Sequence, residues 1–133
     1  MQRGTCRHGL STKSPYYIPD FRRYELIYFC LQYPEWKKNL KDYKLRKGTE
    51  EFDDPTGDEA TERALREGKM KLVEKVAHEA GGDVYGKYIL KAVTEDLSFN
   101  NLKYYHGIPC GRNMYYEMWH KFFYLLSQEK HTF

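Results

Sequence analysis

With 133 residues and a mass of 16.0 kDa, the chain has the size of a single domain. Its 41% hydrophobic and 17% aromatic residues exclude a disordered tail, and its 31% charged residues exclude a membrane-embedded protein. The net charge of +3 conceals blocks: residues 1–50 hold 11 Lys/Arg against 5 Asp/Glu, whereas residues 51–67 hold 2 against 7. Residues 97–133 turn basic again, with 4 Lys/Arg against 2 Asp/Glu.

Residues 1–18 mix Gly, Ser, Thr, Pro and basic side chains without periodicity, and are expected to form a flexible basic arm unless Tyr16, Tyr17 and Ile18 tie it down. There is no apolar run in it to make a signal peptide, so the expected location is the cytoplasm. Asp20 is placed to cap a first helix over about 20–32, with Phe21, Tyr24, Ile27/Tyr28 and Leu31 at helical spacing. Pro34 ends that helix and suits the first turn of a second, 34–47, with Trp36, Leu40 and Tyr43 on one face and Lys37, Lys38, Lys41 and Lys44 on the others. Residues 19–47 are thus expected to form an N-terminal helical hairpin with a basic back.

The segment 48–57 has the Gly, Pro and Asp density of a linker. Beyond it, Thr56 or Asp58 is expected to cap a long central helix, 58–80, with Ala60, Ala64, Met70/Val73 and Val76/Ala77 inward and an acidic first turn matched to its dipole. Gly81 and Gly82 end it, Asp83 caps a fourth helix interrupted only by Gly86, and Ser98 caps a fifth of barely two turns, 99–107. After the Gly107-Ile108-Pro109 turn the final helix is expected over about 111–127. No hairpin signal or long alternating stretch occurs, so the fold class is all-α.

A short capped helix, a glycine-containing turn and a longer helix, preceded by a packing helix, is the spacing of a helix-turn-helix within the unit 58–133. Leu102, Ile108, Met114, Met118, Phe122 and Leu125 are expected to close its core over Ile89 and Val93. That leaves Arg112, Asn113, Tyr116, His120 and Lys121 on the free face. At the start of a recognition helix, Arg pairs with guanine and Asn with adenine, each through two hydrogen bonds. Arg112, Asn113 and Tyr116 are therefore the candidate base readers, and Lys103, His120 and Lys121, with Lys37, Lys38, Lys41 and Lys44, the candidate phosphate contacts on double-stranded DNA.

The passage 88–126 resembles the C-terminal part of phage and prophage transcription regulators of the ArpU/RinA type, which are similar in turn to region 4 of bacterial sigma factors. The resemblance rests on Leu97-Ser98-Phe99 entering the short helix, on the Gly107-Ile108-Pro109 turn and on the aromatic and basic helix after it. Asp53 to Ala60 also resembles the segment that introduces the central helix in these regulators, so the likeness covers about 53–127. It implies a sigma region 4-like helix-turn-helix in a sequence-specific DNA-binding regulator working in a bacterial host cell. Host RNA polymerase and a second copy of the chain are the further partners this reading admits.

A rival reading is a small phage-type protein that binds and inhibits or redirects a host protein, such as RNA polymerase or a nuclease. Surface aromatics carry it, with Tyr104, Tyr105 and Tyr124 as the candidate interface. Tyr24, Tyr28, Trp36, Tyr88, Phe99, Trp119 and Phe122 are assigned instead to packing. Three cysteines, Cys6, Cys30 and Cys110, without paired spacing point to reduced thiols, and His106 with Cys110 lacks the paired close ligands of a zinc site. No phosphate loop, His-Glu-x-x-His or Gly-x-Ser-x-Gly motif is present, so neither enzyme activity, metal nor cofactor is expected.

Overall fold

Pro19, in extended conformation, introduces α1 (Asp20–Leu31), and a single residue, Gln32, links α1 to α2 (Tyr33–Lys47). The remaining helices of the computed structural model, which describes residues 10–130, are α3 (Asp58–Glu95), α4 (Phe99–His106) and α5 (Arg112–Glu129). No strand occurs among the described residues, and no helix there is long and apolar enough to cross a membrane. Pro34 is tolerated in the first turn of α2 because an N–H at that position would have no partner within the helix.

Asp20 does not cap α1; its carboxylate pairs with Arg23 at 2.8 Å. The inward face also differs from expectation. Phe21 and Tyr28 are 71% and 55% exposed, whereas Arg23, Leu26, Ile27, Phe29 and Cys30 are buried. Aromatics on both sides of this short helix give two apolar stripes of similar strength, and only packing chooses between them.

Helix α2 runs antiparallel along the first arm of α3. Near its start the Tyr33 hydroxyl donates to the Glu74 carboxylate; further on, the Lys69 ammonium lies 5.6 Å from the Trp36 ring centre. Near its end Arg63 stacks on Tyr43 and Arg46 reaches Glu59 at 3.1 Å. Phe29 meets Trp36 edge to face beside the α1–α2 junction, but both helices find their main partner in α3, and α1 also packs on α5. The two helices expected as a hairpin thus touch at Phe29 and Trp36 and each packs on α3.

Helix α3 breaks at Gly82, whose φ of 70° and ψ of −165° are open essentially to glycine alone. The break falls where Gly81-Gly82 predicted it, between arms 58–81 and 83–95. Gly86 is no interruption: a Cβ on Gly81 would lie 2.6 Å from the Gly86 nitrogen, so the pair lets the two arms touch backbone to backbone. His78 and Asp83 meet across the corner at 2.7 Å.

The first arm is capped from the linker. Asp54 accepts from the Glu59 and Ala60 amides at 3.3 and 3.1 Å, and the Thr56 hydroxyl adds a longer bond from the Asp58 amide. Ala64, expected inward, is exposed. Phe52 packs edge to face on Tyr43, which pins the linker to α2. One core runs through Leu26, Trp36, Val73, Ile89, Leu102 and Phe122, so the segments on either side of 48–57 share it. Arg22 fastens the far end of α5 by donating to Ser127 Oγ at 3.1 Å and to the Lys130 carbonyl.

Candidate nucleic-acid interface

Ser98 begins the unit by accepting from the Asn101 amide at 3.1 Å, the N-cap its sequence position predicted. Phe99 and Leu102 turn α4 toward the core, and Gly107, at φ 65°, ends it as the Ile108 amide donates back to the Leu102 carbonyl. Ile108, 1% exposed, plugs the turn. The Lys103 ammonium donates to the Ile108 and Cys110 carbonyls, and the Tyr85 hydroxyl on the second arm of α3 donates to the Pro109 carbonyl at 3.2 Å. Lys103, a predicted phosphate contact, thus braces the turn.

Arg112 opens α5. Its guanidinium donates to Asn100 Oδ1 at 2.8 Å and lies over the Phe99 ring, so α4 holds it in place. Only part of its five-donor fork is used, and the side chain remains exposed. Asn113 is exposed beside it.

The rest of α5 is rotated from its expected face. Met114 is 47% exposed, Leu125 is half-buried, and Tyr115, Met118, Trp119, Phe122, Phe123 and Leu126 form the inward stripe. His120, a predicted phosphate contact, is 7% exposed with its ring edge-on to Trp119. Tyr116, a predicted base reader, is half-buried between Tyr115 and Trp119. The rotation has a packing cause. Tyr115 reaches Phe99 on α4 at 5.6 Å between ring centres and buries far more area than Met114 would there. Burial drives the Tyr115 hydroxyl pKa well above the usual tyrosine range.

Residues 10–18 also change the site. Ile18 is buried, and Tyr16 packs on Tyr124 at 5.8 Å, which takes that predicted interface residue into an internal contact. Between this segment and α5 lies an open cleft of about 390 Å³ bounded by Tyr16, Asn113, Tyr116, Glu117 and His120. The first two turns of α5 therefore expose Arg112, Asn113, Met114 and Glu117. Glu117 was no part of the predicted site, and its i,i+4 spacing from Asn113 is the signal that shows it.

Tyr104 and Tyr105 stand out from α4 at 85% and 79% exposure. Lys121 is half-buried, while Lys37, Lys38, Lys41 and Lys44 are all exposed on α2 beside the first arm of α3. Roughly 22 Å of helix separates Glu67, whose charge feels Lys44, from the Gly82 break. The α4–α5 turn is held at the second arm by Tyr85, whereas the far end of α5 returns to the first arm, where Glu129 meets Lys75 at 2.7 Å. Cys110 is buried beside the turn, and burial raises its thiol pKa. Among the described residues no three His, Cys, Asp or Glu side chains gather to hold a metal, and Cys6 and His8 lie outside those residues. Comparison with family models, with curated proteins and with solved structures gives no match.

Proposed function

We propose that the protein binds double-stranded DNA through α4 and α5, which act as a helix-turn-helix on the second arm of α3, with the start of α5 in the major groove. The observation that carries this reading is the geometry around residues 98–113. A capped two-turn helix, a turn closed by Gly107 and plugged by Ile108, and a second helix leave Arg112 and Asn113 exposed at its first turn. Arg112 and Asn113 are the base-reading candidates, with Arg112 preset by Asn100. His120 and Tyr116 act as packing under that edge. Lys121, and at longer range the α2 lysines, supply phosphate contacts. A role in phage or prophage transcription rests on the sequence resemblance alone.

Fluorescence anisotropy on duplexes selected from a random pool, titrated over several salt concentrations, tests the reading. One enriched motif with a steep salt dependence supports it. Binding that enriches no motif removes it.

One observation favours a second reading, a protein partner held through α4. Two adjacent tyrosines as exposed as Tyr104 and Tyr105 have the composition of an interface hot spot. Such contact responds weakly to salt, which separates it from DNA binding in the same titration.

A further inference from the structure

We infer that Glu117 is a specificity determinant that selects DNA by repulsion. The inference rests on the DNA-binding reading of α4 and α5. Glu117 is exposed one turn beyond Asn113 on the same face of α5, and both line the open cleft beside Tyr16. Six other glutamates of the helical surface, Glu25, Glu59, Glu62, Glu67, Glu95 and Glu129, each lie within 4.0 Å of an Arg or Lys side chain. Among the described residues Glu117 has no such partner within 4.0 Å, although it stands on the helix face that would approach a polyanion.

A carboxylate in that position repels phosphates and loses water on entering the groove. It is compensated where it accepts a hydrogen bond, and the base-edge donor that suits a carboxylate in the major groove is the cytosine N4 amine. Sequences that offer no such donor leave the charge uncompensated, so Glu117 works against wrong sites more than it works for the right one. Four residues of helix advance about 6 Å, and base pairs are spaced about 3.4 Å apart. The cytosine read by Glu117 therefore lies about two steps from the adenine read by Asn113.

The test is parallel selection from a random duplex pool with the wild-type chain, Glu117→Gln and Glu117→Ala, followed by anisotropy on the selected site and on copies changed at single positions. Glu117 is on the surface, so both variants should keep the wild-type melting temperature. Expected is a wild-type motif with one cytosine preferred over other bases by about five- to one-hundred-fold. In Glu117→Ala that one preference should collapse to about one, the rest of the motif should persist, and binding to random duplex should tighten several-fold. A wild-type motif unchanged in both variants overturns the role of Glu117 and leaves the DNA reading standing. No motif from the wild-type chain overturns both.

Discussion

Met114 and Tyr115 are neighbours, yet one is 47% exposed and the other 1%. That contrast fixes which side of α5 is free, and it can be measured. Tyr115→Ala should destabilise the protein by about 3–5 kcal/mol, as large aromatic truncations in cores do, whereas Met114→Ala should stay within about 0.5 kcal/mol, both read from urea unfolding. The reverse order would put the rotation of α5 in error. Charge makes a second residue-scale case at Glu67, which meets Arg63 at 3.1 Å and Lys71 at 3.4 Å. The hydrogen bond from Lys71, followed by the charges of Lys71, Arg63 and Lys44, holds its carboxyl below the ordinary glutamate range. A lowered folded-state pKa adds stability that is present above the unfolded value and lost as pH falls through the folded one. Glu67→Gln should therefore flatten part of the acid-side loss in urea midpoints while leaving the neutral-to-alkaline slope unchanged.

Among elements, the corner in α3 decides most. Gly82 holds a backbone conformation that a side chain resists, and Gly81 has no room for a Cβ against Gly86. Gly82→Ala should cost about 1–3 kcal/mol through backbone strain. A similar cost, about 1–3 kcal/mol, is expected for Gly81→Ala through overpacking. Thermal unfolding followed by circular dichroism measures both. A neutral Gly81→Ala would mean that the arms approach less closely than the Gly81–Gly86 contact requires, and a neutral Gly82→Ala that the corner does not need the glycine conformation. The corner also matters to the site, because the second arm carries Tyr85, whose hydroxyl holds the Pro109 carbonyl of the turn.

Taken whole, the molecule sets the α2 lysines along the first arm of α3 and the α4–α5 turn at the second, with the far end of α5 reaching back to the first arm through Glu129 and Lys75. On the proposed DNA-binding reading, the α2 lysines and the start of α5 should make separable contributions. Replacing Lys37, Lys38, Lys41 and Lys44 together by Gln should reduce the salt dependence of binding and weaken all duplexes alike, without changing the base preference set at α5. Anisotropy on a selected site and on random duplex reads both quantities. A changed motif would place α2 among the readers.

How much of this was legible in the sequence depends on the kind of signal. Local backbone chemistry was legible: Ser98 caps α4, Gly107 ends it, Gly81-Gly82 breaks α3, and Pro34 sits in the first turn of α2. These choices are made by a residue and its immediate neighbours, so the sequence by itself determined an all-helical chain and the positions of its turns. Facing was less legible. Helical spacing points Phe21, Tyr28 and Met114 inward, yet they lie outward, and it points His120 outward, yet that ring is buried. With 13 tyrosines and 7 phenylalanines spread around short helices, several apolar stripes compete on each one. Only the tertiary structure decided among them, because burying an aromatic ring depends on the partner it meets, such as Phe99 for Tyr115 or Tyr124 for Tyr16. The same long-range packing laid residues 10–18 beside α5 and left Asn113 and Glu117 together at its exposed edge.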